Sequence, residues 1–401
     1  MHKNISTPHQ RKDDCIDIQS RERCIRTNRN HTYNVRAVNS LIDNKSDLLA
    51  SAIGSSQALI ITTPTVNRLF TDHIRRQLCR SGVNVRVLVL HCDELTKDIH
   101  RVEHICQFAK KMNLGRTDIL ISIGGGVISD LGTVAASWLR RGIRHFRVPT
   151  TLIGLIDAGI GIKGSLNFNG KKSYLGCFYA PEEVFIDVSF LSTLSTYHLR
   201  GGFAEILKIA FVRDLKLFIL LEKYAHRLLQ TKFQDDDYCS NEVIWRSIIG
   251  MLDELEPNLF ENRTYERLVD FGHTFSPLLE AAADFSIHHG EAVAIDMALS
   301  TVIAFEKELI GENTRDRLLE SLLNLGLPLY SPLLDVDRCR LSISDASSHR
   351  GGQPNLVVPA GIGTGCFVTS HSVLTNSLFD SALQYLQRKS QLTTHRVAAH
   401  A

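Results

Sequence analysis

Continuous apolar runs and amphipathic stretches alternate along the first half of the chain. Apolar runs bounded by polar or turn-forming residues predict strands within residues 57–64, 83–92 and 117–125. Apolar positions three and four apart predict a helix over residues 99–114, and another in the segment ISDLGTVAASWLRRG after the third run. Strands separated by helices are typical of parallel pairing, so the pattern predicts an α/β domain with a parallel, doubly wound sheet.

Long amphipathic segments dominate the second half instead. Their periodicity predicts helices over residues 199–226, 241–256, 271–284, 290–309 and 314–325. The second half is therefore expected to form a mostly α-helical domain.

The length also favours two domains, because 401 residues exceed what one hydrophobic core usually holds. The first 32 residues are polar, mildly basic and poor in large apolar groups, as in disordered segments. The predicted organisation is a disordered tail over 1–32, the α/β domain over 33–185, the helical domain over 186–387 and a flexible tail over 388–401.

Composition narrows the classes of function. Hydrophobic residues make up 44% and charged residues 22%, which is ordinary for a soluble globular protein. No apolar run reaches the length of about 18 residues that a membrane span needs, and the net charge of +2 gives no reason to expect nucleic acid. Nine cysteines without a CxxC pair suit reduced thiols in the cytoplasm, which leaves carboxylates and histidines as the ligands of any metal.

A glycine-rich turn follows the third predicted strand in the sequence SIGGGVISD. Gly124, Gly125 and Gly126 would let backbone amides approach a phosphate at the start of a helix, where the helix dipole also favours an anion. A tight turn that merely needs glycine is the alternative, and the segment does not match G-x-G-x-x-G. After the second strand, Glu94 and Lys97 are placed to bracket a ribose or to form a solvated turn.

Charged residues also occur in a glycine-rich, otherwise apolar segment at residues 149–176. Burying Asp157 and Lys163 there would cost several kcal/mol unless they are paired or bind a ligand. A glycine-rich loop that carries lysines also has the groups that a phosphate ester requires. The segment is therefore a candidate substrate loop.

A carboxylate and two histidines complete the candidate chemistry. Glu205 and Lys208 share one helix face, as an internal ion pair would, and His273 and His289 are predicted at the heads of two further helices. One carboxylate and two imidazoles from three helices make a catalytic zinc set if they meet, which periodicity does not show.

Five motifs, GGGVISDLGTVAASWLRRGI, RVPTTLIGLIDAGIGIK, GGFAEILK, DFGHTFSP and HHGEAVA, occur in the order and spacing of the sugar phosphate cyclase superfamily. The chain resembles that superfamily, whose best-known member is 3-dehydroquinate synthase, from about residue 35 to about residue 375. The resemblance implies an N-terminal NAD-binding domain, a helical metal-binding domain and a site in the cleft between them. It also implies a phosphate-eliminating lyase of the EC 4.2.3 type.

The resemblance further assigns roles to individual positions. It implies that Glu205, His273 and His289 hold a divalent metal, zinc or cobalt. The positions where the superfamily contacts NAD are Glu94, Lys97, Gly125, Gly126, Asp130, Thr150, Thr151, Lys172, Thr193 and Leu194. The substrate-handling positions are Asp157, Lys163 and Lys208. Arg141 matches an arginine that the family lends across a homodimer interface towards the substrate phosphate.

Departures from the dehydroquinate synthase pattern concern the substrate carboxylate. Met251 and Leu252 lie where a carboxylate-binding lysine is expected, and Asp270 replaces an asparagine. Arg267 is one residue away from the usual arginine position. An apolar side chain and an added carboxylate disfavour an acidic substrate, whereas Asp270 suits the hydroxyls of a polyol.

Two further departures affect the phosphate and proton transfer. Pro277 replaces the second histidine of the pattern GHTFGH, and His349 and Arg350 are the candidates to compensate for it. We also expect His349 to help Asp270 orient the sugar hydroxyls. Ser173 stands where most relatives carry asparagine beside the phosphate.

The segments DAGIGIK, VDFGHTFSP, ELEPNLFE and HRGGQ resemble the 2-epi-5-epi-valiolone synthase branch of the superfamily. That resemblance implies conversion of sedoheptulose 7-phosphate by transient NAD-dependent oxidation, phosphate elimination, reduction and aldol closure, in C7-cyclitol and antibiotic biosynthesis. The alternatives are a cyclase of the 2-epi-valiolone, desmethyl-4-deoxygadusol or 3-dehydroquinate type, an NAD-dependent alcohol dehydrogenase, and a non-catalytic sugar-phosphate sensor.

Overall fold

The computed structural model describes residues 31–43, 47–235, 238–284 and 286–399, with side chains described as far as residue 392. Most of the predicted tail over 1–32 lies outside these residues. Within the described part of the chain, no helix has the length and apolarity required to cross a membrane.

Six parallel strands form the central sheet, in the order β1–β8–β5–β4–β2–β3. Two antiparallel hairpins, β6–β7 and β9–β10, accompany it. The strands are β1 (Asn34–Ala37), β2 (Ala58–Thr62), β3 (Val85–Val89), β4 (Ile119–Gly124), β5 (Arg144–Pro149), β6 (Lys163–Phe168), β7 (Lys171–Phe178), β8 (Glu183–Ile186), β9 (Leu356–Gly361) and β10 (Thr364–Val368).

Thirteen α-helices occur within the described residues, eight of them after β8. They are α1 (Leu48–Ile53), α2 (Pro64–Val66), α3 (Asp72–Arg80), α4 (Ile99–Lys111), α5 (Gly126–Trp138), α6 (Thr196–Val212), α7 (Leu215–Thr231), α8 (Tyr238–Leu255), α9 (Ser276–Ala282), α10 (His289–Glu306), α11 (Glu312–Asn324), α12 (Val336–His349) and α13 (Asn376–Ala399). A mostly helical second half is thereby confirmed.

Apolar layers cover both faces of the sheet, which is why the strands read as continuous apolar runs. In β2, Ile60 packs with Ile74 of α3 on one face, whereas Ile61 packs with Val102 of α4 on the other. Because successive side chains of a strand point to opposite faces, a strand between two helical layers must be apolar throughout. The predicted parallel, doubly wound sheet is confirmed.

Three predicted boundaries differ from the structure. The segment 199–226 is two helices, because Asp214 accepts a hydrogen bond from Leu217 N and so begins α7 after α6 has ended. The helix predicted over 271–284 begins only at Ser276. The segment 388–401, expected to be a flexible tail, continues α13 as far as Ala399, and Lys389 Nζ lies 3.1 Å from Asp316 Oδ1.

Helices α6 and α10 cross at two glycines. A β-carbon at Gly290 would lie 2.2 Å from Gly201 Cα, so only glycine allows this approach. Glu205 follows Gly201 by one helical turn, and His289 directly precedes Gly290. The crossing therefore brings this carboxylate and this imidazole together.

The β6–β7 hairpin lies against α5 in a similarly close contact. A β-carbon at Gly164 would lie 2.6 Å from Thr133 Cβ. The hairpin carries Lys163 and Lys172, and its Asn167 donates a hydrogen bond to Glu94 O in the loop after β3. From Tyr33 onward the chain forms one compact unit, and the domain boundary predicted between residues 185 and 186 stays a prediction.

Candidate active site

Three predicted metal ligands meet in the structure. Glu205 of α6, His273 and His289 of α10 each offer a ligand atom, and these atoms lie within 4.8 Å of one another. Glu205 Oε1 is 3.1 Å from His289 Nε2 and 3.6 Å from His273 Nε2. Both carboxylate oxygens of Glu205 are buried without a hydrogen bond of good geometry, so this donor set fits a divalent cation.

Hydrogen bonds orient both imidazoles towards this centre. His273 Nδ1 lies 3.0 Å from the carbonyl of Phe271, and His289 Nδ1 lies 3.0 Å from Glu280 Oε1. Each ring therefore directs its Nε2 inward. Burial lowers the pKa of His289, but hydrogen bonds to Glu205 and Glu280 outweigh it and raise this pKa to about 9. Glu205 and Glu280 thus favour positive charge on His289, whereas burial lowers the pKa of His273.

His273 lies in a turn before α9, so the prediction that it begins a helix is wrong. The backbone N–H groups of Thr274, Phe275 and Ser276 all donate to Asp296 Oδ2, at 2.8, 2.5 and 2.9 Å. Asp296 is fully buried on α10. By accepting the hydrogen bonds of the free N–H groups at the start of α9, it fixes the backbone beside His273.

A cavity of about 560 Å³ adjoins the metal-ligand set. Its wall includes predicted site residues from three separate stretches of sequence, His273, Lys208, Asp157, Lys163 and Asp270. The structure therefore gathers the predicted substrate-handling groups around one space. Such a volume holds a small phosphorylated sugar.

Lys208 connects the cavity to the metal-ligand set. Its Nζ lies 2.7 Å from Asp157 Oδ2 and 2.7 Å from Glu205 Oε2. Burial lowers the pKa of Lys208, but the charges of Asp157 and Glu205 outweigh it and raise the pKa well above the usual lysine value. Lys208 therefore stays a cation and a hydrogen-bond donor.

Lys163 is paired with Glu261 across the cavity, not with Asp157. Its side chain is 56% exposed, because the cavity is open to water on one side. Desolvation in this crowded cleft, followed by the charge of Arg267, lowers the pKa of Lys163 to about 8. Glu261 also pairs with Arg267. The sequence analysis did not identify Glu261, because it lies in an irregular loop without periodicity.

Asp270 is held by two arginines. Its Oδ1 lies 2.5 Å from Arg267 Nη2, and its Oδ2 lies 3.2 Å from Arg350 Nη2. Burial raises the pKa of Asp270, but the charges of Arg267 and Arg350 outweigh it and lower the pKa below the usual value. Asp270 is thus an anion that contacts both guanidinium groups.

The residues expected to replace the missing histidine lie around a second cavity of about 280 Å³ beyond Asp270. Pro277, His349 and Arg350 line it. Arg350 reaches Asp270, but His349 is 74% exposed at the end of α12 and lies outside the larger cavity.

The glycine-rich turn lies at the carboxyl end of β4, beside β2, where the order of the sheet reverses. Ligands of doubly wound sheets bind at such a switch point. Gly125 precedes the first residue of α5, and a β-carbon there would lie 3.1 Å from Thr151 Cγ2. Thr150 donates its backbone N–H to Gly124 O, which sets the end of β5 against this turn. The turn therefore fits the phosphates of a dinucleotide.

Lys97 forms ion pairs with two acidic residues of the predicted cofactor set. Its buried Nζ lies 3.0 Å from Glu94 Oε1 and 2.9 Å from Asp130 Oδ2. These three predicted cofactor residues thus form one ion-pair group beside the turn.

Four other predicted residues lie elsewhere. Lys172 reaches Glu280, with Nζ 2.5 Å from Oε2. Thr193 and Leu194 lie where the short turn Val188–Thr193 leads into α6. Arg141 lies on an exposed turn with a positive φ of 64°, outside the cavity of its own chain.

Two family models match the chain consecutively. The 3-dehydroquinate synthase N-terminal model matches residues 87–201, and the 3-dehydroquinate synthase C-terminal model matches residues 202–345. The chain is 40% identical over 353 residues to a 2-epi-5-epi-valiolone synthase of Streptomyces albus, covering 86% of each chain. It is 38% identical over 353 residues to that of an Actinoplanes species, covering 86% of this chain and 88% of the relative.

A solved structure extends the likeness to the fold. It is the 2-epi-5-epi-valiolone synthase of Streptomyces hygroscopicus subsp. jinggangensis with NAD+ and Zn2+ bound. Its TM-score is 0.86 at 36% identity, with 91% of this chain and 99% of that chain covered. Together with the two consecutive models, these likenesses show that the chain belongs to the 3-dehydroquinate synthase family of cyclases.

Proposed function

We propose that this protein converts sedoheptulose 7-phosphate to 2-epi-5-epi-valiolone with release of phosphate. The observation that carries the proposal is the pairing of Asp270 with both arginines beside a cavity that Met251 lines. Relatives of 40% and 38% identity with that activity support it. The reaction is a carbon–oxygen lyase reaction of the EC 4.2.3 type.

The composition of the cavity argues against a carboxylated substrate. Met251 offers no hydrogen bond, and Arg267 and Arg350 already have a carboxylate partner in Asp270. Glu261 adds a further negative charge. Displacing these anions with a substrate carboxylate would cost several kcal/mol, whereas a ketose with a neutral end meets no such repulsion.

Two groups are proposed to act with these side chains. Glu205, His273 and His289 would hold a divalent metal, and Gly125, Gly126, Glu94 and Asp130 are the main candidates to hold NAD+. When bound, NAD+ supplies a reversible hydride acceptor, and the metal supplies a Lewis acid for the substrate hydroxyls.

The chain's own side chains supply binding and proton handling. Lys163 would receive the substrate phosphate, which requires it to exchange Glu261 for the phosphate oxygens. Lys208 donates a hydrogen bond to Asp157 and forms an ion pair with Glu205, so a substrate hydroxyl bound beside them meets both a cation and a carboxylate base. Asp157 would accept the proton and pass it towards the solvent side of the cavity.

Arg141 supports a proposal about assembly. It lies outside the cavity of its own chain, on an exposed turn that holds two consecutive non-glycine residues, Arg140 and Arg141, at positive φ. We propose a homodimer in which this arginine approaches the phosphate bound to the partner subunit.

Two substrates test the proposal in parallel assays. Sedoheptulose 7-phosphate should release phosphate and give 2-epi-5-epi-valiolone by NMR, without net NADH. The carboxylated seven-carbon phosphate used by 3-dehydroquinate synthases should release phosphate at least a hundredfold more slowly. Preference for the carboxylated substrate would favour a dehydroquinate synthase, and net formation of NADH would favour an alcohol dehydrogenase. Binding of the sugar phosphate without turnover would favour a sensor. Formation of another cyclitol stereoisomer would favour a different cyclase of the same superfamily.

A further inference from the structure

A buried carboxylate on α9, Glu280, joins a strand of the hairpin to the candidate metal centre. Its Oε1 lies 3.0 Å from His289 Nδ1, and its Oε2 lies 2.5 Å from Lys172 Nζ. The side chain of Glu280 is 4% exposed, so these two partners satisfy it inside the protein. One carboxylate thus contacts a residue of the metal-ligand set and a residue of β7.

The contact with His289 sets the orientation of its ring. An imidazole that binds a metal through Nε2 keeps its proton on Nδ1, and a carboxylate that accepts this proton fixes both tautomer and ring angle. Burial raises the pKa of Glu280, but the hydrogen bond with His289 and the charge of Lys172 lower it to about 2. Paired with the Lys172 ammonium, the Glu280 carboxylate is therefore the acceptor of this hydrogen bond.

The other carboxylate oxygen of Glu280 contacts Lys172. Lys172 belongs to the proposed NAD+ set, and its ammonium has three N–H donors, of which Glu280 uses one. Two donors remain for a second ligand. A molecule that binds them restricts the ammonium without breaking its bond to Glu280.

We propose that Glu280 is a positioning residue through which the nucleotide site and the metal site stabilise each other. A nucleotide that fixes Lys172 also fixes Glu280 and, through it, the ring of His289. Such coupling is reciprocal, so NAD+ tightens metal binding by the factor by which metal tightens NAD+ binding. The inference rests on the proposed function for the placement of Lys172 beside NAD+.

The measurement is the Zn2+ affinity of the metal-free protein, by competition with a chromophoric chelator, with and without NAD+. NAD+ is used at concentrations that equilibrium dialysis shows to saturate each variant. We expect NAD+ to tighten Zn2+ binding to the wild-type protein about fivefold or more. In Glu280→Gln we expect Zn2+ affinity to fall by about 10–100-fold and the NAD+ effect to vanish.

Two neighbouring lysines provide a matched comparison. Lys172→Met should retain Zn2+ binding but lose the effect of NAD+, because Glu280 then touches only His289. Lys171→Met should behave as the wild-type protein, since the Lys171 ammonium lies over the ring of Tyr174, 5.6 Å from its centroid. Far-UV circular dichroism and Tm check that each variant is folded.

Three results would overturn the inference. The first is a Zn2+ affinity of Glu280→Gln that lies within twofold of the wild-type affinity. The second is an undiminished effect of NAD+ on Zn2+ binding in Lys172→Met, and the third is the absence of this effect in the wild-type protein. No sugar phosphate is present in these titrations. Failure to cyclise sedoheptulose 7-phosphate would therefore refute the proposed function while leaving the coupling result in place.

Discussion

At the scale of single residues, the charges around the larger cavity are arranged in competing pairs. Lys163 is paired with Glu261, and Asp270 with Arg267 and Arg350. Each cation that could bind an anionic substrate already has a carboxylate partner. Selectivity therefore depends on which pair a substrate can displace, and the phosphate dianion is better placed to do so than a single carboxylate.

Lys163 gives a pH prediction. Its pKa is lowered to about 8, so the ammonium is present below this pH and is lost as the pH rises through it. Since kcat/KM reports ionisations of the free enzyme, we expect kcat/KM for the sugar phosphate to fall about tenfold per pH unit above about 8. In Lys163→Arg the guanidinium stays charged, and the profile should be flat up to pH 10. An identical fall in both proteins would rule out Lys163 as its source.

Asp270→Asn tests the pairing with the arginines. Asparagine has a similar volume but no charge, so Arg267 and Arg350 lose the carboxylate that they share. We expect kcat/KM for sedoheptulose 7-phosphate to fall about tenfold or more, the effect of losing a charged hydrogen bond. Inhibition by the carboxylated sugar phosphate should become stronger in the same variant. Unchanged kinetics with both compounds would remove Asp270 from substrate selection.

At the scale of elements, close contacts and buried donors hold the loops that carry the chemistry. Arg147 of β5 is fully buried and donates to the carbonyls of Gly159 and Gly161, and Tyr33 donates to Ile160 O. Three successive backbone carbonyls between Asp157 and Lys163 are thereby fixed by hydrogen bonds from Arg147 and Tyr33. Burial lowers the pKa of Arg147 to about 10, which leaves it charged.

Arg147→Met separates positioning from stability. Unpaired carbonyls cost about 1–3 kcal/mol each, but removing a buried cation returns a similar amount, so we expect a small change in Tm. We expect kcat to fall about tenfold or more with little change in KM, because the loop between Asp157 and Lys163 is then no longer held in one position. Tyr33→Phe, which loses one hydrogen bond, should give a smaller effect of the same kind. Wild-type kcat in Arg147→Met would contradict the positioning role.

The glycine crossing of α6 and α10 gives a second prediction at this scale. In Gly290→Ala the new methyl group would lie 2.2 Å from Gly201 Cα, which forces the helices apart. Overpacking of this kind costs about 1–3 kcal/mol or more, and here it also separates Glu205 from His289. We expect a lower Tm and loss of bound metal by elemental analysis. Gly311→Ala, with open space around its β-carbon, is the control and should retain both.

At the scale of the whole molecule, the candidate metal centre joins the helices of the second half. Its ligands come from α6, from the turn before α9 and from α10, and Lys208 and Glu280 extend it to Asp157 and Lys172. A ligand bound there links segments that are far apart in the chain. Metal occupancy should therefore be visible in global stability.

Metal removal tests this link. A ligand that binds only the folded state at a thousand times its Kd adds about 4 kcal/mol of stability. We expect Zn2+ to raise the Tm of the metal-free protein by roughly 5–10 °C. Glu205→Gln should abolish this increase, together with turnover, whereas Glu320→Ala on the exposed face of α11 should retain it. A Zn2+-dependent shift of unchanged size in Glu205→Gln would contradict the assignment.

The local pattern of apolar residues was enough to predict the α/β half and the helical half of the chain. The spacing of apolar residues within one strand or helix already shows which of its faces are buried. It misplaced His273 on a helix, because the turn there depends on Asp296, which lies 23 positions away in the chain. It also left open which groups pair with Asp157 and Lys163. In the structure each finds a partner from another element, Lys208 and Glu261.

The sequence by itself determined the fold class, the family and the residue types that can bind a metal, a dinucleotide and a phosphate. Tertiary structure alone decided which of these groups meet. Glu205 and His289 meet because two helices cross at Gly201 and Gly290, and Asp270 gains a second arginine partner because Arg350 arrives from the end of α12. Periodicity reports burial along one segment, whereas ion pairs and metal sites depend on distances between segments, and those arise only when the segments pack.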